Sequence, residues 1–250
     1  MNINWNAEKY NEDFKFVHKY GEDVMELLTS PKGSNVIDLG CGNGNLTKKL
    51  KEKGYNVIGI DDSDEMLNIA RKKYNEIKFV KGNALTFKIE PADAIFSNAV
   101  LHWIDKEKQQ ELLNNIASNI KKGGEFVCEF GGNGCAKIVH SELRRIFEKN
   151  NLKYKFNFYF PTIGEYAPLM EKAGLNVKYA ILFDRPTLQN GENGLEEWIR
   201  MFNIAPFKGL TENKIQEIIN ETKERLEPVL CKEGKWFVDY VRIRFRCEKL

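Results

Sequence analysis

The chain has 250 residues, 42% hydrophobic and 30% charged, with 38 Lys+Arg against 36 Asp+Glu. That length suits one large α/β domain or two small ones, and the composition excludes a disordered, collagen-like or low-complexity chain. A formal net charge of +2 is too small for a protein that holds nucleic acid mainly by neutralising phosphates.

No apolar run reaches the ~18–20 residues that span a bilayer, so no membrane partner is expected. The opening Met1-Asn2-Ile3-Asn4-Trp5-Asn6 has neither the basic nor the apolar region of an export signal. The five cysteines, Cys41, Cys128, Cys135, Cys231 and Cys247, are scattered without a CxxC pair, so neither a disulfide framework nor a metal site is expected. These features predict a reduced, cytoplasmic protein.

In chain order, Asn35–Leu39 reads as a buried strand, followed by a glycine-rich turn and a helix through Leu46–Leu50. Tyr55–Ile60 is a second strand, Ser63–Tyr74 a helix, Ile77–Val80 a third strand and Ala92–Ser97 a fourth. A helix over Lys106–Ile120 leads to a fifth strand, Glu125–Phe130. Strands spaced by helices in this way predict βαβ units and a parallel sheet covered on both faces.

Beyond Phe130 the rhythm changes. A helix over Lys137–Asn150 precedes the aromatic run Tyr154–Phe160, a core strand or a pocket wall. A helix at Ile163–Ala173, a strand at Val177–Phe183 and a mostly helical segment, Gly194–Leu230, follow. The end, Trp236–Cys247, reads as one half-buried strand of period two, with Phe237, Val241, Ile243 and Phe245 on one face. Arg242, Arg244 and Arg246 share the other, expected to be solvated.

The chemistry concentrates in Val36-Ile37-Asp38-Leu39-Gly40-Cys41-Gly42-Asn43-Gly44. A strand enters a glycine turn that opens a helix, so a ligand can approach backbone N–H groups. A dinucleotide fingerprint would place its last glycine where Asn45 stands. Asp38, two residues before the first glycine, would repel a pyrophosphate but suits an ammonium group. Asp61 ends the second strand, placed to accept hydrogen bonds from both ribose hydroxyls. Asn83, after the third strand, can meet the exocyclic amine of adenine. Together these residues ask for an adenosine without phosphates that carries an amino-acid tail.

With VIDLGCGNG (36–44), VIGIDDSDEML (57–67), KGNA (81–84), DAIFSNAVLHWI (93–104) and the Lys122-Gly123-Gly124 turn, the sequence resembles the class I S-adenosylmethionine-dependent methyltransferases. Within them it is similar to the branch of trans-aconitate and malonyl-carrier-protein methyltransferases. The resemblance covers residues 1–130 well and the remainder by topology.

It implies a Rossmann-like, seven-stranded, mostly parallel sheet with helices on both faces, an antiparallel last strand and a helical cap. The single domain 1–250 would comprise an N-terminal helical lid (1–34), a cofactor-binding core (35–130) and a C-terminal half (131–250) with the cap inserted at about 194–230. The resemblance also implies S-adenosyl-L-methionine as cofactor, a small-molecule acceptor, and a monomer or weak dimer.

Residue by residue, Asp38 with the Gly40 and Asn98 backbone would hold the methionine amino end, and Gly40, Cys41, Gly42 and Gly44 would form the loop beneath the cofactor. Asp61 would bind the ribose, with Asp62 and Met66 beside the adenine and Asn83 and Ala84 at its edge. Asn98, Leu101, His102 and Trp103 follow the fourth strand, where donor meets acceptor, and Tyr10 would approach from the N-terminal segment.

His102 is the candidate base, or a structural histidine at the strand-to-helix turn. His18 and His140 read as solvated helix residues, and Cys41 as packing. The cap would bring Trp198, Met201, Phe202 and Phe207 over the acceptor, or these aromatics would fill the cap's own core with Arg185 on solvent or Asp184. Trp5, His18, Arg185, Trp198 and Tyr240 are the candidate substrate residues, with Arg185, ahead of Arg200, the candidate partner of an acidic acceptor.

Methyl transfer to a carboxylate or hydroxyl is the leading reading, with N- or C-methylation and a non-catalytic cofactor-binding protein as alternatives. A nucleobase amino-methyltransferase would carry an Asn/Asp-Pro-Pro-aromatic motif where this chain reads Ser97-Asn98-Ala99-Val100. Asp38 and Asn45 disfavour a nicotinamide-dependent oxidoreductase.

Overall fold

A computed structural model describes the backbone of residues 16–250 and the side chains from residue 21 onward. Trp5 and Tyr10, and the side chain of His18, lie outside the described residues. The main sheet has seven strands in the order β3-β2-β1-β4-β5-β10-β6. Its strands are β1 (Asn35–Leu39), β2 (Asn56–Asp61), β3 (Lys78–Lys81), β4 (Ala92–Asn98), β5 (Ile120–Gly131), β6 (Leu175–Asp184) and β10 (Val241–Lys249). The pairs among β1 to β5 are parallel, and β10 runs antiparallel between β5 and β6. This is the expected Rossmann-like sheet with its antiparallel last strand.

Side-chain alternation gives each face its cover. On one face Val36, Ala94, Phe96 and Val127 pack with Val24 and Met25 of α1 (Phe16–Met25) and with Leu46 and Leu50 of α2 (Asn45–Glu52). On the other, Ile95, Phe126, Cys128, Ile243 and Phe245 pack with α4 (Gln109–Ser118) and α6 (Ile163–Lys172). Between β2 and β3, α3 (Asp64–Lys73) is capped by Ser63, whose Oγ accepts from Met66 N–H at 3.2 Å, with Asp64 and Glu65 in its first turn. Thr162 and Glu165 form a reciprocal capping box at the start of α6.

Helix α5 (Lys137–Lys149) belongs to a second apolar cluster with α7 (Gly194–Phe202), α8 (Ile204–Phe207) and α9 (Glu212–Leu230). A small sheet orders β7 (Thr187–Leu188), β9 (Lys235–Val238) and β8 (Cys231–Lys232) beneath them. This excursion leaves the main sheet after β6 and re-enters it at β10, where Arg185 N–H donates to the Tyr240 carbonyl at 2.7 Å. Among the described residues no helix is long and apolar enough to cross a membrane.

Several expectations are corrected. The end of the chain is two strands in two sheets, not one. Trp236 and Val238 are buried in β9, whereas Ile243, Phe245 and Cys247 are buried in β10, so the buried phase slips by one residue across Asp239-Tyr240. The helix expected over Lys106–Ile120 ends at Ser118, and β5 begins already at Ile120. The aromatic run forms no strand, which leaves its other reading, a pocket wall.

Arg242, Arg244 and Arg246 do share a face, but it is not solvated: Arg242 and Arg244 ion-pair with Glu129, and Arg246 with Glu125. His140 is buried, not solvated. Its Nδ1 lies 2.6 Å from the Tyr154 hydroxyl, and burial, aided by Arg144, pushes its pKa down to about 3.

Candidate active site

Parallel sheets of this kind bind ligands beyond the carboxyl ends of their strands. A cavity of about 1020 Å³ opens there, lined by the ends of β1, β2 and β4, the loop after β3 and the tip of the cap. Asp38, Gly40, Cys41, Gly42, Asp61, Asp62, Met66, Asn83, Ala84, Asn98 and Trp103 all line it.

The turn after β1 is built by backbone conformations that favour glycine. Gly40, Gly42 and Gly44 have φ of +75°, +52° and +78°. Gly40 and Cys41 N–H both donate to the Ile60 carbonyl, at 2.7 and 3.0 Å, which fastens the turn to β2. A Cβ on Gly40 would sit 2.2 Å from Val100 Cγ2, whereas one on Gly42 would meet nothing within 4 Å. Gly44 does not line the cavity. Its space is taken by the ring of Phe79 and the methyl of Ala70, so it brings α2 close to the sheet.

Two expected outcomes follow. Gly40→Ala should cost on the order of 2–4 kcal/mol, from left-handed backbone and overpacking together, read by chemical denaturation. Gly42→Ala should cost only the backbone part, about 1–2 kcal/mol, yet weaken cofactor binding, because its methyl projects into the cavity.

Four carboxylates line the cavity: Asp38, Asp61, Asp62 and Asp105. Asp38 is buried at the end of β1, where its Oδ2 accepts from Thr47 Oγ1 at 2.6 Å. Burial pushes its pKa up to about 7. The Thr47 bond opposes that shift and nearby Asp61 adds to it. Asp61 accepts from Gly42 N–H at 2.8 Å through Oδ2 and from Ser63 N–H at 2.9 Å through Oδ1. Burial raises its pKa, against those two bonds.

Asp62 Oδ2 accepts from Asn83 Nδ2 at 3.0 Å, while Asn83 Oδ1 accepts from Leu85 N–H at 2.9 Å. The Asn83 amide thus shapes its turn with the group expected to read adenine. Burial, with Asp38 and Asp61, holds the Cys41 thiol far above its ordinary pKa, so it is neutral, as its packing role requires.

The donor set fits S-adenosylmethionine. A buried carboxylate with a raised pKa gains from a cationic partner. Asn98 Oδ1 is buried without a hydrogen-bond partner among the described residues, which marks a place for an ammonium donor. The open side of Gly42 leaves the loop free for close approach.

Other expected residues stand elsewhere. Leu101 is wholly buried in the core under the sheet rather than in the cavity. His102 does not line the cavity either: its Nδ1 accepts from Gly131 N–H at 3.2 Å, and its ring lies among Trp103, Phe158 and Phe160. Burial and Arg242 push its pKa far down. With Nδ1 already accepting, the neutral ring carries its proton on Nε2 and has no lone pair left for an acceptor. The ring nitrogen that a base would use is therefore occupied by the end of β5.

Trp198 and Tyr240 bond to each other, Nε1 to hydroxyl at 2.7 Å, away from the cavity wall. Arg200 bonds within the cap to Glu196 and Glu212. Arg185 ion-pairs with Glu129.

The cap does reach the cavity, but through Met201, Phe202, Ile204, Ala205 and Lys208, whereas Trp198 and Phe207 fill its own core. Lys155 and Asn157 line the cavity from the run read as a core strand or a pocket wall, whereas sequence reasoning missed Thr47 and Ala99. Ala99 stands at φ +62°, a strained conformation for a non-glycine residue at the end of β4, and its N–H donates to the Glu129 carbonyl at 2.7 Å. No periodicity signals a residue of this kind.

Comparison with known proteins accords with this geometry. Residues 36–124 match the family model described as a methyltransferase domain. An uncharacterized methyltransferase of Schizosaccharomyces pombe is 30% identical over 98% of both chains. An uncharacterized methyltransferase of a Geobacillus species is 36% identical over 48% of this chain and 58% of its own.

Among solved structures, a Bacillus halodurans protein superposes with a TM-score of 0.66 at 12% identity, covering 92% of this chain and 99% of that one. The phosphoethanolamine N-methyltransferase 2 of Haemonchus contortus, solved with S-adenosylhomocysteine, gives 0.59 at 17% identity, over 92% of this chain and 52% of that one. The chain belongs to the class I S-adenosylmethionine-dependent methyltransferases.

Proposed function

We propose that this enzyme transfers a methyl group from S-adenosylmethionine to an oxygen of a small molecule, a carboxylate first and a hydroxyl second. The observation that carries this reading is the His102 geometry: among the described residues no histidine lines the cavity, and the one beside it has its acceptor nitrogen occupied. A carboxylate acceptor is already a nucleophile and needs no base. Bound S-adenosylmethionine supplies an activated methyl group on a sulfonium.

The chain's own part is placement and exclusion of water. Asp38, with Asn98 Oδ1, would take the ammonium end, Asp61 the ribose hydroxyls, and Asp62, Met66, Asn83 and Ala84 the adenine side. Trp103, Met201 and Phe202 would close the apolar wall. The motif DAIFSNAVLHWI (93–104) supports a finer placement beside trans-aconitate and malonyl-carrier-protein methyltransferases. The composition supports a cytoplasmic enzyme acting as one unit of core and cap.

The test is a screen of candidate metabolites with isotopically labelled methyl donor and mass detection. A carboxyl methyl ester is released by mild alkali; a product whose label survives alkali would replace the carboxylate reading. Asp61→Ala should weaken cofactor binding by about 5- to 150-fold, the cost of leaving polar groups unpaired, as measured by calorimetry. Unchanged affinity would place the ribose elsewhere.

A further inference from the structure

The face of the sheet that carries Asn98 also carries an unbalanced cluster of charge. Glu129, fully buried on β5, is met by the guanidiniums of Arg185, Arg242 and Arg244. Arg242 and Arg244 make no other ion pair among the described residues, so positive charge exceeds negative here even before Arg185 is added. The side chains are about nine-tenths buried for Arg185 and Arg242, and Arg244 is 16% exposed. Two strand residues below, Arg246 and Glu125 stand one to one, so the surplus is confined to the carboxyl end of β5.

The burial of such a surplus is unfavourable unless an anion completes it. Phe183 lies beneath two of the guanidiniums, with Arg185 and Arg244 each 5.2 Å from the ring centroid, which holds them toward the cluster. Burial, together with repulsion from Arg242 and Arg244, lowers the Arg185 pKa against the pull of Glu129.

Register sets the distance to the reaction. Asn98 of β4, on the cavity wall, pairs with Glu129 of β5, and Glu129 pairs with Arg244 of β10. The three lie in one row on one face, so the cluster stands one to two strand spacings, about 5–10 Å, from the cavity wall. Neither Glu129 nor the three arginines line the cavity, so an acceptor would meet them past Asn98, the member of the row on its wall.

Resting on the methyl-transfer reading above, we propose that Arg185, Arg242 and Arg244 form an oxyanion site that holds an anionic group of the acceptor, so that the enzyme selects acidic substrates. Planar guanidiniums suit carboxylate and phosphate alike, through paired N–H donors. A purely structural cluster would answer to no added anion.

The experiment uses the full chain saturated with S-adenosylhomocysteine. Its melting temperature is followed against succinate and glycerol 3-phosphate, with succinamide and glycerol as neutral counterparts. One of the two anions should stabilise the wild type while the neutral counterparts do not, and which one it is separates a carboxylate from a phosphate acceptor. In Arg185→Met and Arg244→Met the anion's affinity should fall by about tenfold or more, with S-adenosylhomocysteine affinity unchanged.

Should a Met variant fail to fold, Arg185→Lys and Arg244→Lys keep the charge without the fork and should weaken the response partially. No stabilisation of the wild type by either anion, or equal responses in wild type and folded variants, overturns the site. Failure of the wild type to bind S-adenosylhomocysteine would instead overturn the reading on which it rests.

Discussion

Cofactor affinity should fall about tenfold for each pH unit below 7 and level off above pH 8. The cause is Asp38, whose carboxyl in the free protein is raised to about 7, chiefly by burial. An ammonium ligand is bound by the ionised form, and below pH 7 a proton competes for the same oxygens, at about 1.4 kcal/mol per unit. Isothermal calorimetry between pH 5.5 and 8.5 reads both the slope and the proton released on binding.

Asp38→Asn should bind about 10- to 150-fold more weakly at pH 8, the worth of a charged hydrogen bond, and lose the slope. Thr47→Val removes the bond that opposes the shift and should move the bend to higher pH. The same group links to stability. Because its folded pKa lies above the ordinary value of 3.8, its contribution is complete below pH 4 and is lost as pH rises through 7. The ligand-free protein should therefore lose stability across that window, and bound cofactor should recover it. A flat affinity profile would remove Asp38 from the ammonium site.

The second large effect is expected at Glu129. Glu129→Gln leaves Arg185, Arg242 and Arg244 without their shared carboxylate, and breaking a buried ion cluster from one side costs about 3–5 kcal/mol. In a chain of this size that is a fall in melting temperature of roughly 6–20 °C. Adding Arg244→Met should return part of the loss, a coupling that a double-mutant cycle measures.

Glu125→Gln should cost less. Glu125 pairs with a single arginine, and its other partners are the hydroxyls and N–H groups of Thr29 and Ser30. Burial raises the Glu129 pKa, but the guanidiniums outweigh it and hold it below the ordinary value of 4.5. Its stabilisation is thus present above pH 4.5 and is lost as pH falls through the lowered value. A Glu129→Gln protein as stable as wild type would show that the cluster contributes nothing net.

The cofactor side was legible because it is local. Asp38 and Gly40 are two residues apart on one strand and turn, and Asp61 ends the next strand, so spacing alone converges them. The same logic failed where partners are distant. That Arg242, Arg244 and Arg246 share a face follows from a period of two, but what covers that face is decided by Glu125 and Glu129, more than a hundred residues earlier.

At His102 the turn was evident, whereas the direction of the ring is set by Gly131 N–H on another strand. The break between β9 and β10 did leave a trace. Trp236 and Val238 stand at even positions and Ile243, Phe245 and Cys247 at odd ones, and a half-buried strand cannot keep both on one side. Arg185 was expected to partner an acidic acceptor, but its ion pair with Glu129 could not be read from spacing.

The Arg185–Tyr240 contact has a consequence for how such enzymes diversify. Residues 185 and 240 meet backbone to backbone at 2.7 Å, so everything between them is a closed excursion from the main sheet. The cost of closing a loop grows slowly with its length, so the sheet is nearly indifferent to what the excursion contains. Asp38, Asp61 and Asp62 on the cavity wall all precede residue 99, while the cap side chains Met201, Phe202 and Ile204 come from the excursion. The fold therefore separates a fixed engine from an exchangeable cassette: a replacement joined at residues 185 and 240 would reshape the cap side of the cavity and leave Asp38, Asp61 and Asp62 in place.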